Sequence, residues 1–228
     1  LLAYGTHEHT IVLEDVVAAQ PVLELNVGEA EPDLVAFDPS GRWLAVGSND
    51  GAVLVYHLGG RSRSTAPIYA IPATGAPVWR LLFSPDSAML AWIRTDQSLQ
   101  LLDLATGAVT ATLATYFGAF CLAFSRDGAQ MVTDGPDHTV LLRDAHTGAV
   151  RNILHGHRAA ITCIGVSPLD NRIASSSVDG SIRLWELASG ACTATLVVEA
   201  PYAGMTVSGV RGITPAQRES LLHLGARL

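Results

Sequence analysis

A small apolar strand, a tight acidic turn and a second apolar strand recur along this chain at a regular interval, and that period constrains the fold more than any other feature. Aligned on the turn, the acidic residue falls at Glu8, Asp50, Asp96, Asp137 and Asp179, which gives steps of 42, 46, 41 and 42 residues. A repeat of this length is one supersecondary unit that cannot bury its apolar face alone, so neighbouring copies must stack. Four copies carry a further corner ahead of the turn: Phe37-Asp38-Pro39-Ser40-Gly41, Phe83-Ser84-Pro85-Asp86, Phe124-Ser125-Arg126-Asp127-Gly128 and Val166-Ser167-Pro168-Leu169-Asp170.

Each unit reads as four strands. In the fifth copy these are residues 161–166, 172–176, 181–186 and 191–197, rich in apolar and β-branched side chains and separated by Pro, Gly, Asn and Asp. The Asp50-Gly51 and Asp179-Gly180 pairs suit hairpin connections, because glycine accepts a positive φ. No helical period occurs before the last stretch of the chain. The pattern therefore predicts an all-β protein of about five four-stranded antiparallel blades over residues 1–199, the first one incomplete, followed by a tail over 200–228.

Gly156-His157, Ser167-Pro168, Ser175, Asp179 and Ile182-Arg183-Leu184-Trp185-Glu186 together resemble one complete WD repeat. The resemblance implies a partial WD-repeat β-propeller and a buried hydrogen-bonded tetrad made of His157, Ser175, Asp179 and Trp185. An imidazole between a carboxylate and a hydroxyl, with an indole N–H at the end, satisfies four buried polar groups together. The other copies depart from the pattern. Glu14, Tyr56, Leu102 and Arg143 stand at the tryptophan position, and Trp92 and Tyr4 stand where Ser175 and Thr133 do. Those blades are expected to rely on apolar packing. Propellers of this family usually have seven blades, and Leu1 aligns with the middle of a repeat, so the expectation is an arc whose missing blades come from upstream sequence.

With 49% hydrophobic and 15% charged residues, the chain can bury a sizeable core and is not disordered. Its net charge of -7 disfavours a nucleic-acid backbone as the main partner, the alternative being a local basic patch at Arg61, Arg63, His155, His157 and Arg158. Cys121, Cys163 and Cys192 form no disulfide framework. Cys121 and Cys163 fall at one inner-strand position of consecutive repeats, where a small buried thiol is expected, and reduced cysteines suit a cytoplasmic location. No apolar run is long enough to span a membrane.

The tail carries its own pattern. Thr214 as N-cap, Pro215 at the first helical position and Gln217 as capping-box partner predict a helix, with Gly225 at its end and its leucines docked on the last blade. Together with residues 201–209, this tail is similar to the segment that ends many bacterial multidomain WD-repeat proteins of the STAND type, which place a NACHT or NB-ARC NTPase module ahead of C-terminal propellers. That likeness implies the sensor end of a signalling protein, with nucleotide chemistry upstream.

Catalytic signatures are few. The chain has no phosphate loop, no Gly-x-Ser-x-Gly elbow, no His-Glu-x-x-His and no Cys-x-x-Cys. His7-Glu8-His9 offers two imidazoles but no third ligand, and a solvated turn explains it better. Asp137-His138, beside Thr133 and Asp134, reads as the repeat's turn acid rather than an acid–base pair. No catalytic residue, metal or cofactor is therefore expected. What remains is recognition of a protein or peptide through loops that hold Tyr116, Phe117, Trp79, Arg80 and Arg158, residue types that favour binding hot spots. The alternative for Trp79, Tyr116 and Phe117 is that they wedge between blades.

Overall fold

Four of the five repeats fold into four-stranded antiparallel sheets and the first into a three-stranded one. Blade 1 is β1 (Leu2–Gly5), β2 (Thr10–Asp15) and β3 (Gln20–Asn26). Blade 2 is β4 (Pro32–Phe37), β5 (Trp43–Ser48), β6 (Val53–His57) and β7 (Tyr69–Ile71). Blade 3 is β8 (Val78–Phe83), β9 (Met89–Arg94), β10 (Ser98–Asp103) and β11 (Val109–Ala114). Blade 4 is β12 (Leu122–Phe124), β13 (Gln130–Asp134), β14 (Val140–Asp144) and β15 (Val150–Leu154). Blade 5 is β16 (Ile161–Val166), β17 (Arg172–Ser177), β18 (Ser181–Glu186) and β19 (Cys192–Val197). This computed structural model describes residues 1–6, 8–28, 31–59, 65–116, 121–197, 206 and 214–223.

The second strand of each blade shows why the repeats must stack. All six residues of β9 are buried, because both its faces are covered. Leu90 and Trp92 point back to pack with Ala45, Val53 and Val55 of blade 2, while Met89, Ala91 and Ile93 point forward to Leu122 and Phe124 of blade 4. The same arrangement joins blade 1 to blade 2 through Ile11, Leu13, Leu44 and Tyr56, and blade 4 to blade 5 through Val132, Leu142, Ile164 and Trp185. Each buried aliphatic or aromatic side chain contributes roughly 1.5–3 kcal/mol of transfer free energy. Gly47 lies at a close approach of blades 2 and 3, where a Cβ would come within 2.8 Å of the Val78 side chain.

Side-chain carboxylates and hydroxyls shape the corners. Asp38 accepts from the Trp43 amide at 2.6 Å and the Ser40 amide at 3.0 Å, and Ser84 and Ser125 accept from Met89 and Gln130 at 2.9 Å each. At the turns before the outer strands, Asp15, Asp103 and Asp144 each accept the amides two and three residues on. The alignment passed over these three acids, because a single Asp, followed by Thr-Gly only after Asp103 and Asp144, is too common a signal to stand out in sequence.

The stack leaves its two outer faces uncovered among the described residues. Leu2 and Tyr4 of blade 1 are exposed, as are Ile182 and Leu196 of blade 5. This corrects one expectation. Cys121 is buried, and burial pushes its thiol up to about 12, but Cys163 at the corresponding position is exposed. Both point toward the following blade; Cys121 has blade 5 over it, and no described residue covers Cys163.

Beyond the blades, α1 (Pro215–His223) starts as the sequence predicts: Gln217 N–H donates to Thr214 Oγ1 at 3.2 Å, and Thr214 N–H donates to Gln217 Oε1 at 2.8 Å. Leu221 and Leu222 are half-buried and the earlier residues of the helix exposed, while Gly225 and most of 201–213 lie outside the described residues. No helix among the described residues is long and apolar enough to cross a membrane.

Candidate functional site

One end of the stack gathers the acidic turns and the segments that lead into the inner strands. The two are tied together blade by blade: Asn49 N–H donates to the Glu31 carbonyl, Thr95 N–H to Pro77 and Val178 N–H to Ala160, at 2.9–3.1 Å. The turn acids Asp50, Asp96 and Asp179 and the segment that carries His157 and Arg158 fall at this rim, while Trp185 reaches Ser175 from farther down β18, where it pairs with Ile173.

In blade 5 the polar residues close on one another. Asp179 accepts from His157 Nδ1 at 3.1 Å and from the Arg158 amide at 2.8 Å, and His157 Nε2 meets Ser175 Oγ at 2.8 Å. Trp185 Nε1–H donates to Ser175 Oγ at 2.8 Å, and Ser181 Oγ donates to Asp179 at 2.5 Å. A carboxylate only accepts, so the proton sits on Nδ1 and Nε2 is left to take the serine hydroxyl. Burial raises the Asp179 carboxyl, but the hydrogen bonds from Ser181, Arg158 and His157 outweigh it and hold the group well below the usual carboxylate range. Asp, His and Ser in line have the order of a hydrolytic triad. Ser175, however, is 1% exposed beneath Trp185, so no substrate carbonyl reaches it.

The turn acids divide. Asp50, Asp96 and Asp179 each accept the amide two residues on, at 3.0, 2.9 and 2.8 Å. Asp50 heads a turn that needs glycine next: Gly51 has φ +90°, and a Cβ there would lie 2.3 Å from the Ala76 carbonyl. Glu8 and Asp137 make no such bond among the described residues. Asp137 stands in the turn between β13 and β14, where the register has it, but without that bond. Pro136 occupies its turn and builds a 3₁₀ turn over Pro136–His138, in which Asp137 and His138 take φ of +51° and +63° and Asp137 is exposed. A non-glycine residue pays roughly 1–2 kcal/mol for that region.

Blade 4 fills the tetrad positions with different chemistry. Arg143, at the tryptophan position, donates from Nε to Thr133 Oγ1 at 3.2 Å and from Nη1 to the Gly148 carbonyl at 2.9 Å. The adjacent Asp134 points the other way, toward blade 5. It is 4% exposed, and its Oδ1 has no hydrogen-bond partner. Burial raises its carboxyl to about 7, against smaller lowering effects from a backbone amide and Arg143. Beside it opens a cavity of about 430 Å³, lined by Tyr116, the turn residues 134–138, Ala160 and Ile161.

The predicted binding residues separate in the same way. Trp79 is 53% exposed at a β-bulge between Val78 and Arg80, the bulge position that Asp33 and Thr162 hold in β4 and β16. Arg80 is no loop residue. It lies in β8 and donates to the Leu122 carbonyl at 3.2 Å, joining the inner strands of blades 3 and 4. Tyr116 is 38% exposed at the cavity, and the Arg158 side chain is exposed while its amide is held by Asp179. Phe117, His7, Arg61 and Arg63 lie outside the described residues. Sequence reasoning passed over Arg94, which is buried across the Trp92 ring with its Nε donating to the Gly51 carbonyl of blade 2 at 3.0 Å. It named Asp134 only as a neighbour of Asp137, because nothing in a strand-end Asp announces that its face will be covered. No group of three or more His, Cys, Asp or Glu that could hold a metal ion occurs among the described residues.

The family model described as "WD domain, G-beta repeat" matches residues 34–57 and 148–186, which hold β5 and β6 of blade 2 and most of blade 5. The crystal structure of the C-terminal WD40 domain of Sif2 superposes with a TM-score of 0.69 over 86% of this chain and 57% of that one, at 16% identity. The architecture is a WD40-repeat β-propeller. WD repeat-containing protein 18 of Rattus norvegicus is 30% identical over 167 residues, covering 70% of this chain and 38% of the relative. WD repeat-containing protein 1 of the same organism is 26% identical over 158 residues, 69% of this chain and 19% of the relative. Set1 complex component swd2 of Schizosaccharomyces pombe is 36% identical over 70 residues, 30% and 20% respectively. The chain thus spans well under half the length of these relatives. WD-repeat proteins are in general protein-interaction scaffolds.

Proposed function

We propose that this WD-repeat arc is a protein- or peptide-binding module that works by surface recognition, not catalysis, through the rim where the acidic turns gather. The observation that carries this reading is Trp79, a large aromatic side chain 53% exposed at the bulge of an inner strand. Aromatic anchors of this kind are over-represented in binding hot spots. Tyr116 and Arg158 extend the same rim. The tetrad His157, Ser175, Asp179 and Trp185 serves as its rigid support. A net charge of -7 favours a protein or peptide over a nucleic acid as partner.

Selection of a displayed peptide library on the immobilised chain tests this. A recurring consensus is expected, with affinity falling at least about tenfold in Trp79→Ala while the thermal midpoint stays unchanged. No consensus, or a consensus that Trp79→Ala binds as tightly, would sink the proposal.

At a finer level, we assign the module to the sensor end of a larger, cytoplasmic bacterial signalling protein of the STAND type, on the strength of the tail pattern over 201–217. The name of one relative, a component of the Set1 complex, favours a second reading as a subunit of a scaffold or assembly; the relatives named above are eukaryotic. The coding sequence upstream of Leu1 decides between them. A phosphate-binding loop there supports the sensor reading, and further WD repeats alone support the scaffold.

A further inference from the structure

We propose that the cleft between blades 4 and 5 receives the cationic side chain of a bound peptide, an arginine or a lysine, with the buried Asp134 carboxylate as its counter-charge. This deepens the recognition reading above and rests on it.

Three observations converge on a cation. First, Asp134 is buried to 4% exposure with Oδ1 unpartnered, and such a group costs folding stability without returning a contact unless something else binds it. Second, the charge that could neutralise it from within is already engaged. Arg143 directs Nε and Nη1 at Thr133 and the Gly148 carbonyl, and Asp134 forms no ion pair among the described residues. Third, the space beside it suits a long side chain with a charged end. The cavity of about 430 Å³ lies within the usual range for ligand sites. Pro136, Ala160 and Ile161 offer apolar walls for a methylene stem, and Tyr116 adds an aromatic ring of the kind cations favour.

The mouth agrees in sign. Asp137, exposed and freed from the amide-capping role that Asp50, Asp96 and Asp179 perform, places a second carboxylate on the lining. His138 and the Tyr116 phenol are the other titratable groups on the described lining. Two carboxylates repel an acidic side chain, and an apolar one would leave Asp134 unpaired.

The test is a titration of the intact chain with capped arginine, capped lysine, capped norleucine, capped glutamate and butylguanidine, following the amide NMR signals of Gly135, Ala160 and Ile161. Capped arginine or lysine should shift these signals with a Kd on the order of 1 mM, as suits a single side chain. Norleucine and glutamate should leave them in place. Asp134→Asn should weaken the cation at least about tenfold, and because it removes a buried charge it remains folded. Equal shifts with norleucine, equal affinity in Asp134→Asn, or no shift at the solubility limit would overturn the assignment. Tighter binding of butylguanidine than of capped arginine would make the site one for small free cations and overturn its peptide part. If the cations fail while peptide selection through Trp79 succeeds, the cleft assignment falls and the recognition reading stands. The reverse pattern would fault Trp79 and leave the cleft.

Discussion

Blades 4 and 5 hold a hydroxyl at the same strand position, Thr133 and Ser175, and do opposite things with it. In blade 5 the hydroxyl lies between Trp185 and His157, and the chain of bonds continues to Asp179 and two backbone amides. In blade 4 the partner is Arg143, which turns to the Gly148 carbonyl, while the nearby acids Asp134 and Asp137 are left without the bonds their counterparts make. The lesson is that a repeat position fixes where a side chain goes, and its neighbours decide whether it is satisfied. A closed polar network stiffens a fold; an open one beside a cavity is available to a ligand.

The comparison breaks first at Trp185. Replacing it with Ala removes a fully buried ring and the donor to Ser175, and should cost about 3–5 kcal/mol in urea denaturation with the slope unchanged. Arg143→Ala should cost less, about 1–2 kcal/mol, since it removes two hydrogen bonds from a less closed network. Equal losses would mean that the blade 4 network is as integral as that of blade 5.

The dependence of stability on pH sharpens the contrast, because the two acids act with opposite sign. Asp134 titrates at about 7 in the folded chain, and an unfolded aspartate near 4. Between those values the folded state holds a proton that the unfolded state has released, so stability falls as pH rises through the window. Asp134→Asn should escape that loss, exceeding wild type by roughly 2–4 kcal/mol at pH 8 and matching it near pH 4. Asp179 lies below the unfolded value, so its contribution is present above about pH 4 and lost as the pH falls. Asp179→Asn should be less stable than wild type at neutral pH and converge with it in acid. A profile in which both variants move the same way would refute the division into closed and open networks.

The smallest effect belongs to the strained turn. Asp137→Gly should raise stability by about 0.5–1 kcal/mol, since glycine meets the positive φ without a Cβ clash and the carboxylate makes no bond in its turn. A loss of stability on that change would show that Asp137 supports its turn as Asp50 does.

The period and the strand order were legible because each depends on local pattern, and the tetrad was implied by the likeness of one stretch to a WD repeat. Acidic turns at even spacing set the register, apolar runs set the strands, and the Gly-His to Trp-Glu string placed four polar residues whose bonds all lie within blade 5. The parts that escaped depend on what packs against what. Arg80 read as a loop residue because the strand that accepts its hydrogen bond, with Leu122, comes more than forty residues later. Cys163 read as buried because its repeat partner Cys121 is, and the difference lies in whether a blade covers that face.

The sequence by itself determined that this chain builds stacked antiparallel blades, since period and alternation are properties of the chain read along its length. Only the tertiary structure decided that Trp79 is exposed at a bulge, that Arg143 gives its hydrogen bonds to Thr133 and the Gly148 carbonyl, and that a cavity lies between blades 4 and 5. Those outcomes depend on contacts between blades, where burial and the direction of a neighbouring donor set whether a charge is paired, and no local pattern encodes them.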